Sequence, residues 1–163
     1  MAYQRLQVSE GLAVIPSDTV PIPDPATKVT SGITNGTGSF SLIDSTKDFS
    51  ALGVQKNAIV YNTSGQIAAF VTGLDPGNPA ALLISVNTFS SGQDYTIYNA
   101  ATKAATLYIG TTGDLVVEMA SERDSQATPS LTFYNVPSSA FLPILVTKVG
   151  ISSSPNMNII ALW

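Results

Sequence analysis

The carboxylates closest together in the sequence are Asp44 with Asp48, and Glu118 with Glu122 and Asp124. Paired carboxylates can share general acid–base work, and a cluster of oxygen ligands can hold calcium. Both groups have plainer readings. Asp44, followed by Ser45, stands where a helix N-cap would, ahead of Thr46 to Leu52. The run from Ser121 to Gln126 is the densest charge cluster in the chain and reads as a solvated loop. It lacks the alternating Asp/Asn pattern of a dedicated calcium loop. Gly36-Thr37-Gly38 and Gly110-Thr111-Thr112-Gly113 would suit a phosphate cradle only if Gly-Lys-Ser/Thr followed, and it follows neither. There is no histidine and no cysteine. The commonest general base is therefore missing, along with the thiolate nucleophile and the usual transition-metal ligands. A Ser–Lys dyad is formally possible, but no spacing places one. The sequence predicts a non-enzymatic protein with no catalytic residues, no cofactor and no metal.

Composition points the same way. Of 163 residues, 44% are hydrophobic, enough for a real core. Only 11% are charged, against roughly 25% in an ordinary soluble domain. Ser, Thr, Asn and Gln supply the polarity instead, which suits a protein packed against neighbours. The seven basic residues (Arg5, Lys28, Lys47, Lys56, Lys103, Arg123 and Lys148) are scattered singly, and the formal net charge is −4. No basic stripe exists to neutralise phosphates, so no nucleic-acid partner is expected. No apolar run approaches the roughly 18 residues that would cross a bilayer, so no membrane partner is expected either. The start, Met-Ala-Tyr-Gln-Arg, has no basic and apolar leader pattern, and synthesis in the cytoplasm without export by the general route is expected.

The elements that would position these residues are short strands. Gly38 to Ile43, Ala58 to Tyr61, Gln66 to Val71, Ala81 to Val86 and Tyr95 to Tyr98 alternate or run apolar, with turn residues between them. Asn62-Thr63-Ser64-Gly65 reads as a hairpin loop and Asp75-Pro76-Gly77-Asn78-Pro79 as a second turn. Asn99 to Lys103 is a junction. Beyond it come Thr106 to Ile109, Leu115 to Met119, Ser130 to Phe133, Phe141 to Val149 and Asn158 to Trp163. The alternation loses phase at Tyr134-Asn135-Val136. Pro143 marks its strand as an edge, or as that strand's first residues. The sequence therefore predicts an all-β fold, with a barrel- or sandwich-like module over residues 31–99 and a jelly-roll-like sandwich over 104–163. Residues 1–30 are expected to form an extended arm. Pro16, Pro21, Pro23 and Pro25 forbid helix there and disfavour a central strand. The apolar Ile15, Val20 and Ile22, with Pro21 and Pro23 between and beside them, are assigned to a partner subunit. Trp163 is an apolar residue at a position that is normally frayed, and is taken to be tied down in the core or under a neighbour.

Several of these segments resemble structural proteins of tailed bacteriophages, particularly of marine phages and cyanophages. The middle part is similar through Ile43 to Phe49, Gly53-Val54, Ile59 to Thr63 and Tyr95 to Tyr98. The last part is similar through Leu107 to Val117, Leu131 to Val149 and Asn158 to Trp163, and the first part through Leu12 to Pro25. The charged stretch Ala120 to Gln126 departs from the family, which more often has an uncharged glycine-rich turn there. The resemblance implies a virion component with no catalytic motif. The expected role is capsid decoration: a cement protein, trimeric, bound to the major capsid protein on the phage head. A tail, neck or spike-attachment protein, and a receptor- or glycan-binding module, are the alternatives.

Overall fold

Period-two alternation interrupted by Gly, Pro and Asn leaves the backbone few options other than antiparallel pairing. A computed structural model describes residues 8–87, 89–101, 104–120, 130–154 and 157–163. Among them lie strands β1 (Gly11–Ala13), β2 (Lys28–Ile33), β3 (Ser41–Ile43), β4 (Ile59–Asn62), β5 (Ile67–Leu74) and β6 (Ala81–Ile84). They are followed by β7 (Asp94–Tyr98), β8 (Ala105–Ile109), β9 (Gly113–Met119), β10 (Ser130–Val136), β11 (Ala140–Val149) and β12 (Ile159–Leu162). The fold is all-β, with two antiparallel six-stranded sheets, one curled into a half-barrel. The chain forms two units. Unit 2 is Ile15–Thr102, and unit 1 joins Met1–Val14 to Lys103–Trp163. Unit 2 is thus inserted between the first strand of unit 1 and the rest of it.

Unit 2 carries the sheet β2-β7-β4-β5-β6-β3. Its core gathers Leu42, Phe49, Val60, Val71, Leu82, Ile84, Tyr95 and Ile97, with the rings of Phe49 and Tyr95 edge to face. The helix expected after Asp44 is instead two successive turns. Asp48, not Asp44, caps the second turn, its Oδ1 accepting from the Ala51 N–H at 2.9 Å. Gly53, at φ +74, ends the turn in a Schellman arrangement: Val54 N–H donates to Phe49 O and Gly53 N–H to Ser50 O. Cap and stop are so close that only one turn fits between them. In the 62–65 hairpin the left-handed residue is Gln66 (φ 52) rather than Gly65.

Unit 1 carries the sheet β1-β12-β8-β11-β9-β10. Its inner face is Ala105, Leu107, Ile109, Leu115, Val117, Val146, Val149, Ile159 and Ala161, all buried. The strand containing Pro143 is not an edge. β11 lies between β8 and β9, and the proline falls where the strand changes partners. Ala140, Phe141 and Leu142 pair with β8, while Lys148 and Val149 pair with β9. Val146 pairs with Ala105 on one side and Met119 on the other. The missing N–H of Pro143 sits in the break between Leu142 and Val146, where no ladder bond is lost. The lost alternation at Tyr134 to Val136 is a bulge: the register shifts between Phe133 and Val136, and Asn135 takes φ 51.

From residue 8 onward the N-terminal segment is docked rather than free. β1 pairs with β12, Gly11 opposite Leu162 and Ala13 opposite Ile160. The proline-rich stretch lies within unit 2, and Pro23 bridges Ala101. Ser17 Oγ accepts from the Val20 N–H at 3.0 Å and turns the chain. A proline has no N–H to donate to a ladder, but its carbonyl can still accept and its ring can be buried.

Candidate interaction surface

The polar groups that could do chemistry are engaged in holding turns. Asp44 is 1% exposed. Its Oδ1 accepts from Thr46 N–H (3.0 Å) and Thr46 Oγ1 (2.6 Å), and its Oδ2 from the Tyr95 hydroxyl (2.7 Å). Burial alone would raise this carboxyl. The hydrogen bonds from Thr46 and Tyr95, with the charge of Lys47, outweigh that and leave it below the usual aspartate range. Burial, reinforced by the bond to Asp44 and by its charge, pushes the Tyr95 hydroxyl well above the ordinary tyrosine value. Burial likewise raises Tyr61 and Tyr98, whose rings meet edge to face at 6.1 Å. Opposite Tyr95 stands Gly32, where a Cβ would lie 2.6 Å from Asp44 Oδ2. Asp44 and Asp48 thus head separate turns rather than sharing a proton. Glu118 pairs with Lys148 across the β9–β11 ladder. Glu122 and Asp124, with the calcium reading of their loop, lie outside the described residues. Among the described residues no cluster of three acidic groups could hold a metal.

The side chains assigned to a partner from sequence are turned inward. Ile15, Val20 and Ile22 are 4%, 3% and 1% exposed, and Pro23 is buried as well, so they pack within this chain. Pro21 is half-buried. The physical reason is that an extended segment with no core of its own can still be covered by other parts of the chain. Trp163 is also half-buried, and it is tied down by backbone pairing: its N–H donates to Glu10 O at 3.1 Å, and its carbonyl accepts from Ser9 N–H at 2.7 Å.

The structure brings a different set of residues together. Ala13 lies opposite Ile160, Ile160 opposite Tyr108, and Tyr108 opposite Phe141. Cross-strand partners share a face, so these four side chains form one row over β1, β12, β8 and β11, roughly 14 Å long at the usual strand spacing. The row is on the outer face, since its neighbours along each strand (Leu12, Ala161, Leu107, Leu142) point the other way. Phe141 is 41% and Ile160 37% exposed, Ala13 is exposed and Tyr108 half-buried. An antiparallel sheet with one covered face ordinarily turns polar residues outward. Here the outer face carries this apolar row across β1, β12, β8 and β11, and the Lys148–Glu118 pair on the β9 side. An apolar row of this kind marks a surface suited to a protein neighbour. In the sequence, Leu107-Tyr108-Ile109 and Ile159-Ile160-Ala161 read only as buried strands, because a strand apolar on both faces looks the same whether or not its second face is covered.

No protein-family model matches this chain, and neither a curated protein nor a solved structure matches it. Among the described residues no helix is long and apolar enough to cross a membrane.

Proposed function

We propose that this chain is a virion structural protein that decorates the head shell, binding between subunits of the major capsid protein as a trimer. The observation that carries the reading is the outer apolar row of Ala13, Ile160, Tyr108 and Phe141. It gives a sparsely charged chain an apolar surface for a protein neighbour. The sequence resemblance to phage structural proteins supports the choice of neighbour. Repetition over a lattice would make even a small contact of this kind strong. The contact is assigned to the sheet face and no longer to the N-terminal segment.

The test adds purified protein to particles lacking it. The double variant Phe141→Ser/Ile160→Ser should bind about tenfold or more weakly, as expected when central apolar contacts are lost. Its urea stability should move little, because both side chains are partly exposed. Equal binding by the variant and the parent would sink the assignment. Imaging the particle separates a head lattice from the tail or neck, and a stable monomer by light scattering would rule out the trimer.

A further inference from the structure

Asn35-Gly36 is the sole Asn-Gly pair in the sequence. A glycine after asparagine leaves the backbone nitrogen unshielded, so it can attack the side-chain amide. In that reaction the Gly36 nitrogen bonds to Asn35 Cγ. The side-chain NH2 leaves as ammonia together with the Gly36 N–H proton, and a succinimide ring forms. Water then opens the ring at either carbonyl, giving aspartate or isoaspartate. Water is at hand, because Asn35 is exposed.

Packing explains why the reactive pair stands here. A Cβ on residue 36 would lie 2.8 Å from Ile43 Cγ2 and 3.0 Å from Ile43 Cβ, so a side chain there would require β3 to move. The neighbouring residues restrain the reaction. Ser45 N–H donates to Asn35 Oδ1 at 2.9 Å, and Asn35 Nδ2 donates to Ser45 Oγ at 2.8 Å. The Asn35 N–H is itself held by Ile43 O at 3.0 Å. Both heteroatoms of the amide therefore face Ser45. Cγ can approach the Gly36 nitrogen only after these bonds open.

We propose that Asn35 is a site of spontaneous deamidation whose rate in the folded chain is set by the Ser45 clamp. The aspartate product keeps a place in the fold, since its carboxylate can accept from both the Ser45 N–H and the Ser45 hydroxyl. The isoaspartate product does not. It adds a main-chain carbon next to Thr34, which is 1% exposed and whose hydroxyl donates to Ser90 O and accepts from Gln93 N–H. The modification therefore acts as a clock that loosens the end of β2 as the protein ages.

The experiment holds the full chain in mildly alkaline buffer and follows the Asn35 peptide by mass spectrometry and isoaspartate assay. The urea-unfolded chain should modify Asn35 fastest. Folded Ser45→Ala should react about three- to tenfold faster than the parent, the effect of one lost hydrogen bond. Folded Ser45→Thr, which keeps the hydroxyl, should stay near the parental rate. Equal rates in Ser45→Ala and the parent would overturn the clamp, and so would equal acceleration at Asn57 and Asn99, which would report general unfolding. An Asn35 peptide that stays unmodified even in the unfolded chain would overturn the site.

Discussion

Unit 2 is one continuous stretch of chain, whereas unit 1 is assembled from the two ends of the described sequence, and the two are held differently. Unit 2 buries Thr34, Asp44 and Asn62, each satisfied by partners from another part of the unit: the Thr34 hydroxyl meets Ser90 and Gln93, Asp44 receives the Tyr95 hydroxyl, and the Asn62 amide donates to Gln93. Among the described residues, unit 1 buries only Ser153 of the polar side chains, its hydroxyl accepting from Val116 N–H. Its inner face is otherwise apolar, and its order rests on ladders such as β1 on β12. The contrast teaches that an inserted, continuous unit can define its turns locally with polar pins. A unit built from distant segments depends on pairing over long chain separations, and that pairing requires the intervening loop to be closed.

The largest effects should expose this asymmetry. Leu82→Ala in unit 2 and Leu107→Ala in unit 1 each remove a fully buried side chain, at about 2–5 kcal/mol. They should differ in reach. Unfolding unit 2 replaces the neck closed by the Pro23–Ala101 bridge with a long flexible connection, whose closure costs on the order of 2 kcal/mol more. Hydrogen exchange should therefore show Leu82→Ala weakening protection of Gly11 to Ala13 as well as of unit 2. Leu107→Ala should leave Ile59 to Asn62 protected. The opposite pattern would show that the β1–β12 ladder does not depend on a folded unit 2.

A smaller effect tests the polar pins. Tyr95→Phe deletes one donor to a buried carboxylate and should lower stability by about 1.5–3 kcal/mol in urea titrations. The same site gives a pH dependence. The carboxyl of Asp44 is lower in the folded chain than in the unfolded one. Its contribution is therefore complete above the ordinary aspartate value and is lost as pH falls toward and through the folded value. The acid-side drop in the urea midpoint should shrink in Asp44→Asn, and an unchanged profile would show that Asp44 is no pin. The smallest effect concerns Phe40, exposed and at φ 54. Phe40→Gly removes a left-handed strain of roughly 1–2 kcal/mol and adds unfolded-state freedom of about 0.5–1 kcal/mol, so a net gain of at most about 1.5 kcal/mol is expected. A loss would mean that the ring packs better than its exposure suggests.

Much of the fold was legible because turn chemistry is local. Gly53, Asp75 to Pro79 and the lost alternation at Tyr134 each mark a feature that the structure contains. The failures have a common cause. Pro143 reads as an edge, or as the first residues of its strand, because a proline cannot complete a ladder, yet a strand that changes partners has room for one inside a sheet. Ile15, Val20 and Ile22 read as partner-facing because their segment cannot fold alone, yet all three are buried within this chain. The outer row was invisible for the same reason: Ala13, Tyr108, Phe141 and Ile160 become neighbours only through long-range register.

The partner exchange in β11 has a mechanical consequence. Three strands and half of a fourth lie on one side of Val146, and two strands and the other half on the other, so the sheet resembles two panels joined along a crease. Bending at such a crease strains few hydrogen bonds. The panel bearing Ile160, Tyr108 and Phe141 and the panel bearing Lys148 and Glu118 are thus coupled through β11 by only a few ladder pairs on either side of Val146.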